Sequence, residues 1–215
     1  MTIMIDKKEG FVKPIRIVVT GGPCGGKSTA LAYLKKTAEA RGYLVLVVGE
    51  TATELIGGGV APWTCESNAA YQACQLHLQK EKERVFVQAA AGMESEKILI
   101  LLDRGLLDNR AYMTEEEFAH ILALRKETQE EYLAAYDAVF HLVTAAEGAE
   151  AFYTTANNAA RTETPEEARR LDARLREAWS AHPYHIVIAN EGSFADKMKR
   201  LADKMNQFLD EAEVK

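Results

Sequence analysis

The sequence predicts an α/β fold with three layers, a five-stranded parallel sheet covered by helices on both faces, and three observations predict it. Five short apolar runs, at 14–19, 43–48, 98–102, 137–144 and 185–189, are too continuous to have one wet face, which is how strands buried on both sides read. Between them stand segments with helical periodicity, as right-handed crossovers between parallel strands require. A glycine-rich G-x-x-x-x-G-K-[ST] pattern, from Gly21 to Ser28, joins the first run to the first helical segment.

The first run leads directly into this loop. Its glycines let successive backbone N–H groups turn inward around a chain of phosphates, which a Cβ would hinder. Lys27 can then reach the β- and γ-phosphates, while the Ser28 hydroxyl can hold Mg2+. The phosphate-binding set read from the motif is Gly22, Pro23, Cys24, Gly25, Gly26, Lys27, Ser28 and Thr29. Such a pattern arises by chance in roughly 1% or fewer of chains this long. Residues 28–40 carry Leu31, Leu34 and Ala38 at helical spacing, so a helix N-terminus is expected to meet the same phosphates.

The chain as a whole sets bounds. Its 215 residues suffice for one well-buried domain, and no Pro/Gly/Ser-rich linker or internal repeat divides them, so a single domain is expected over 1–215. A net charge of −6 offers no basic field for nucleic acid. Cys24, Cys65 and Cys74 are odd in number and follow no metal spacing, which fits a reducing, cytoplasmic setting. No apolar run approaches membrane-spanning length.

The second run, 43–48, ends at Gly49-Glu50-Thr51. Ligands of open parallel sheets bind beyond the carboxyl ends of the strands, so Glu50 stands where a carboxylate could accept a proton from an acceptor hydroxyl; the plainer alternative is a helix-start acid favoured by the dipole. A short helix at 52–56 is stopped by Gly57-Gly58-Gly59, and Trp63 beyond it is expected to be packed, with stacking on a base as the alternative. A long helix spans 68–91 with Tyr71, Cys74, Leu78 and Val85 on its apolar face and 80–84 as a solvated face. The third run ends in Asp103, the Walker B form, whose acid serves the metal through water or through the loop serine. Arg104 follows and can engage donor or acceptor phosphate, or else pair with Asp108.

Two capping boxes, Thr114 with Glu117 and Thr128 with Glu131, open short helices that read as core. His141 alternates with apolar neighbours in the fourth run and reads as a core histidine. The small, polar stretch around 145–166 is expected to be a lid. It carries Arg161, and the helix begun by Thr164-Pro165 turns Arg170 away from a face of Ala168, Leu171, Leu175, Ala178 and Trp179. Both arginines are candidates for spreading charge on a transferring phosphoryl group. After the fifth run Asn190 stands at the strand end, a candidate nucleotide contact, and 193–211 is an amphipathic closing helix with Phe194, Met198, Leu201, Met205 and Phe208 inward.

Several stretches together carry a family resemblance. They are 20–28, Glu50-Thr51-Ala52-Thr53-Glu54, Asp103-Arg104-Gly105 with Asp108, 136–142, Phe152-Tyr153-Thr154-Thr155, and Asn157-Asn158 with Arg161. From Ile15 to about Ala202 the chain resembles the P-loop kinases, and more narrowly the AAA-28 ATPase domains. That group includes the nicotinamide riboside kinase part of the NadR proteins and animal transport regulators that bind GTP and phosphoinositides. The first implies Mg2+-dependent transfer of a phosphoryl group from ATP to a nucleoside, nucleotide or similar small molecule. The second implies a nucleotide-switched protein that recognises a phosphoinositide or protein partner. No Asn-Lys-x-Asp guanine signature is present, so ATP is the expected nucleotide, with GTP the alternative that the resemblance carries.

Overall fold

The computed structural model describes residues 13–150 and 164–214. Five strands, β1 (Ile15–Thr20), β2 (Leu44–Val48), β3 (Ile98–Asp103), β4 (Ala138–Leu142) and β5 (His185–Ile188), form one parallel sheet in the order β2-β3-β1-β4-β5. Consecutive strands therefore need crossovers, and helices supply them: α1 (Lys27–Glu39), α2 (Thr51–Gly57), α3 (Asn68–Ala90), α4 (Glu115–Arg125), α5 (Gln129–Leu133), α6 (Pro165–Ala178) and α7 (Phe194–Glu213). A 3-10 helix, Leu106–Tyr112, follows β3. The expected five-stranded parallel sheet is the observed one, and β1 lies at its centre.

Alternation in the central strands divides the core in two. Ile17, Val19, Leu99, Leu101 and Phe140 point to the side of α1 and α7, where they meet Leu34, Leu201 and Met205. Val18, Ile100, Leu102 and Val139 point to the other side, where they meet Leu76, Leu107, Tyr132 and Trp179. Each such aliphatic side chain, once buried, contributes about 1.5 to 3 kcal/mol of transfer free energy, which is why these strands read as unbroken apolar runs. Side-chain caps set the helix starts. Thr114, Thr128, Thr164 and Ser193 each accept from the third residue on, and Glu117, Glu131, Glu167 and Asp196 each bond back.

Register brings the chemistry to one edge. Val19 pairs with Asp103, Thr20 with His141, and Val48 with Leu102, so β1, β2, β3 and β4 end together. Everything that follows their last residues converges there.

Four expectations are corrected. The inward face of α3 is Tyr71, Gln72, Gln75, Leu76, Gln79, Glu83 and Ala90, while Cys74 and Val85 are exposed, because this helix packs its polar stripe against the site edge. Glu83, placed by its charged neighbours on a solvated face, is 3% exposed because Arg16 and Tyr136 reach it. Trp63 is exposed rather than packed, and Phe194 is half-exposed at the start of α7 while Lys197 and Leu209 take the inner face. No described helix is long and apolar enough to cross a membrane.

Candidate active site

The loop between β1 and α1 is shaped by what lies beneath it. Gly21 has φ +133°, and a Cβ there would lie 2.0 Å from the Leu142 carbonyl oxygen; at Gly25 it would lie 2.8 Å from the same atom. The end of β4 is thus pressed against the loop, and only glycine permits the approach. Gly26, at φ +88°, is the N-cap of α1 and has no side chain to cap it, so the first N–H groups of the helix are left to an anion. Lys27 is buried and donates from Nζ to the carbonyls of Gly21 at 2.9 Å and Gly22 at 3.0 Å. Ser28 and Thr29 face solvent at the helix start.

A buried acid on α6 anchors this loop. Asp172 Oδ1 accepts from Gly22 N at 2.8 Å and Thr144 N at 3.1 Å, and lies 3.0 Å from His141 Nε2. Burial alone would raise the Asp172 pKa, but the His141 hydrogen bond and the Gly22 N–H bring it down. Thr144 Oγ1 donates to the Pro23 carbonyl at 2.5 Å, so the segment just after β4 also grips the loop. His141 is a core histidine, as its alternation predicts.

The ends of β2 and β3 carry the acids. Glu50 caps α2 and pairs through Oε1 with Arg104 Nε at 2.8 Å, while Thr53 donates to its Oε2 at 2.7 Å. Burial opposes the charge, yet the Arg104 guanidinium outweighs it and holds the Glu50 pKa at about 2. Arg104 stands at φ +73°, a left-handed conformation costly for a side chain of this size. It is over-determined by its neighbours: Asp108 Oδ1 lies 3.8 Å from its Nη1, and its backbone N–H donates to the Val19 carbonyl. Asp108 in turn takes the Gly105 N–H at 2.6 Å and the Thr20 hydroxyl. The expected ion pair with Asp108 is present, Glu50 is the nearer partner, and Arg104 Nη1 also lies 3.5 Å from the Gly21 carbonyl of the loop.

Asp103 differs from Glu50 in keeping a buried carboxylate oxygen, Oδ1, without a hydrogen-bond partner among the described residues. Burial, then the negative charge of Glu50, raises its pKa. A desolvated carboxylate beside a second carboxylate at the mouth of a phosphate loop is a donor set suited to a hard divalent cation. Asp103 and the Ser28 hydroxyl are the residues that would hold Mg2+.

Beyond Glu50 the inner stripe of α3 begins. Tyr71 and Gln72 are 2% and 3% exposed, and the Tyr71 hydroxyl and Gln72 Oε1 have no hydrogen-bond partner among the described residues. Burial first and the charge of Glu50 next push the Tyr71 pKa up to about 12, which places this phenol in the field of the same acid. Further along α3, Gln75 and Gln79 bond Asn109, and Gln79 also donates to the Arg104 carbonyl at 3.4 Å. A buried amide ladder thus braces the turn that carries Arg104.

The remaining candidates fall elsewhere. Asn190 stands beside the loop after β4, where its Nδ2 donates to the carbonyls of Thr144 and Glu147, both at 2.7 Å. Arg170 is exposed on α6, and no hydrogen bond or ion pair joins it to the loop among the described residues. Arg161, Phe152 to Thr155, Asn157 and Asn158 lie outside the described residues, as does most of the expected lid at 145–166. The sequence pattern missed Asp172, Tyr71, Gln72 and Lys197. The first and last of these sit inside amphipathic helices at core spacing, and a polar residue at a core position was the available signal.

A parallel sheet in this strand order, with a glycine loop opening into α1 and acids at the ends of β2 and β3, defines the P-loop kinase class of fold. A family model described as an AAA domain matches residues 16–197, and the chain belongs to that family. No curated protein matches the sequence. Among solved structures the chain is similar to deoxyadenosine kinase from M. mycoides with bound dATP, with 14% identity, a TM-score of 0.59, and coverage of 89% of this chain and 99% of that one. The same kinase with the products dCMP and a flexible dCDP gives 15% identity, a TM-score of 0.60, and coverage of 90% and 100%. At such identity the likeness concerns the fold.

Proposed function

We propose that the protein is a Mg2+-dependent phosphotransferase that moves the γ-phosphoryl group of ATP to a hydroxyl of a nucleoside-like small molecule. One observation carries the reading. The phosphate loop with Lys27 and the Glu50–Arg104 pair flank Asp103, whose Oδ1 has no hydrogen bond among the described residues, so a donor, a cation and an acceptor could meet at one strand edge. The solved kinase of similar fold acts on a nucleoside by its name, which supports the acceptor class.

The chemistry asks little of the protein beyond position and charge. The N–H groups of Gly26 to Thr29, at the uncapped start of α1, and the Lys27 ammonium hold the triphosphate. Mg2+, when bound by Asp103 and Ser28, supplies neutralisation of phosphate charge. Glu50, with its pKa near 2 while Arg104 is paired to it, is a weak base in the free protein. Its role is to accept the hydrogen bond of the acceptor hydroxyl and orient it; the base strengthens once Arg104 turns to the phosphoryl oxygens. Tyr71 and Gln72 offer an unpaired phenol and an unpaired amide oxygen to the body of the acceptor, the latter suited to an N–H or O–H donor. Arg161 and Arg170 would close over the transferring group, and Asn190, tied to the loop after β4, would shape the nucleotide side rather than donate to it.

The test is a panel of nucleosides and nucleotides with MgATP, followed by ADP formation. The parent is expected to release ADP only with a competent acceptor, and Lys27→Ala to lose turnover while staying folded, with triphosphate binding weakened by about 1.5 to 3 kcal/mol. Equal ATP affinity in parent and Lys27→Ala by calorimetry would overturn the assignment of the loop. Slow, acceptor-independent turnover with nucleotide-dependent capture of a phosphoinositide or protein would favour the switch instead.

A further inference from the structure

Lys197, on the first turns of α7, is 3% exposed, and its ammonium is used up by three neutral acceptors. Nζ donates to the Gly25 carbonyl at 3.1 Å, to the Val143 carbonyl at 2.7 Å and to Asn190 Oδ1 at 2.7 Å. A neutral amine has only two N–H donors, so three acceptors around one nitrogen specify the charged form. No carboxylate forms an ion pair with it among the described residues. A buried cation with no counter-ion is expensive and calls for an anion to offset it.

Its place says which anion. Gly25 belongs to the phosphate loop, Val143 follows the strand that underlies the loop, and Asn190 Nδ2 fastens the segment after β4. In a trans peptide C=O and N–H point in opposite directions, so a Gly25 carbonyl drawn to Lys197 turns the Gly26 N–H away, toward the other side of the loop. We propose that Lys197 is a second cation of the phosphate site, a positioning residue that orients the Gly25–Gly26 peptide and whose charge is balanced by the bound triphosphate. The proposal rests on the loop being a triphosphate site.

A proton linkage follows. Burial brings the Lys197 pKa down to about 8; Asp172 on α6 raises it and Arg200 on α7 lowers it further. Lys27 and Cys24 on the loop and His141 on β4 are the other titratable groups nearby on the packed elements. A triphosphate beside the ammonium favours its charged form, so binding near pH 8 should draw a proton in.

The experiment measures binding of inorganic tripolyphosphate and of MgATP by calorimetry near pH 8, in two buffers of different ionisation enthalpy. The parent protein is expected to take up roughly half a proton on binding. Lys197→Met is expected to lose that uptake and roughly ten-fold in affinity, and Lys197→Arg to keep the affinity within a few-fold without the uptake. No proton uptake in the parent protein, or the same uptake and affinity in Lys197→Met, overturns the proposal while leaving the phosphate loop standing. The first of these outcomes needs no Lys197 variant to fold. Failure of the folded parent protein to bind either probe overturns the loop reading itself, and the proposal with it.

Discussion

Glu50 and Asp103 end neighbouring strands, yet their surroundings push them apart. Burial resists charge on both, but Arg104 answers it at Glu50, whereas Asp103 Oδ1 has no donor among the described residues. The signs can be tested separately. The Glu50 pKa is depressed, so its pairing contributes stability that is complete above the ordinary carboxylate value of 4.5 and is lost as pH falls toward about 2. Glu50→Gln should therefore cost on the order of 2 to 3 kcal/mol at neutral pH, a gap that closes across that acid window in urea titrations. A gap that stays constant with pH would mean that the cost is packing and not charge. Asp103→Asn should behave in the reverse manner. It relieves a desolvated charge, so stability holds or rises, while Mg2+-dependent triphosphate binding weakens more than Mg2+-free binding. Identical metal dependence in both proteins would return Asp103 to a structural role.

At the scale of elements, the loop and the strand end beneath it act as one unit. Gly21 and Gly42 both have positive φ, at +133° and +82°, but a Cβ on Gly42 meets nothing within 4 Å while one on Gly21 meets Leu142 O at 2.0 Å. Gly42→Ala should cost about 1 kcal/mol, the conformational strain alone. Gly21→Ala adds a collision with backbone and should cost more than about 3 kcal/mol, or prevent folding. Equal denaturation midpoints for the two variants would show that β4 yields freely, against the close contact seen here. On the opposite flank the polar stripe of α3 has a similar bracing duty. Glu83 accepts from Arg16 at 2.6 Å and from the Tyr136 hydroxyl, which itself accepts from Leu106 N at 2.9 Å next to the Arg104 turn. Removing the acid in Glu83→Ala strands a part-buried guanidinium and should cost about 3 to 5 kcal/mol, more than Glu83→Gln, which keeps an acceptor for Tyr136.

For the molecule as a whole, a ligand that binds only the folded state must stabilise it. MgATP at about a hundred times its dissociation constant should add about 2.7 kcal/mol, which for a domain of this size raises the melting temperature by roughly 5 to 10 °C. Thermal unfolding with and without MgATP checks this, and Lys27→Ala should erase the shift. The same scale shows where sequence pattern suffices. The five runs, the helical periods between them, the capping boxes and Gly21 to Ser28 are local signals, each carried by neighbours in the chain, and they determined the parallel sheet and the phosphate loop. Glu50 and Asp103 could be placed at the strand ends because a run simply stops there. What the tertiary structure alone decided are the buried polar residues: Asp172 under Gly22, Lys197 against Gly25, Glu83 against Arg16, and Tyr71 and Gln72 on the inner face of α3. Hydrophobic periodicity counts every polar residue as exposed, and the partners that make these burials affordable lie 150, 172 and 67 residues away along the chain for the first three. Only folding brings each charge to the group that answers it, so no local pattern could show that the face of a helix turned inward was the polar one.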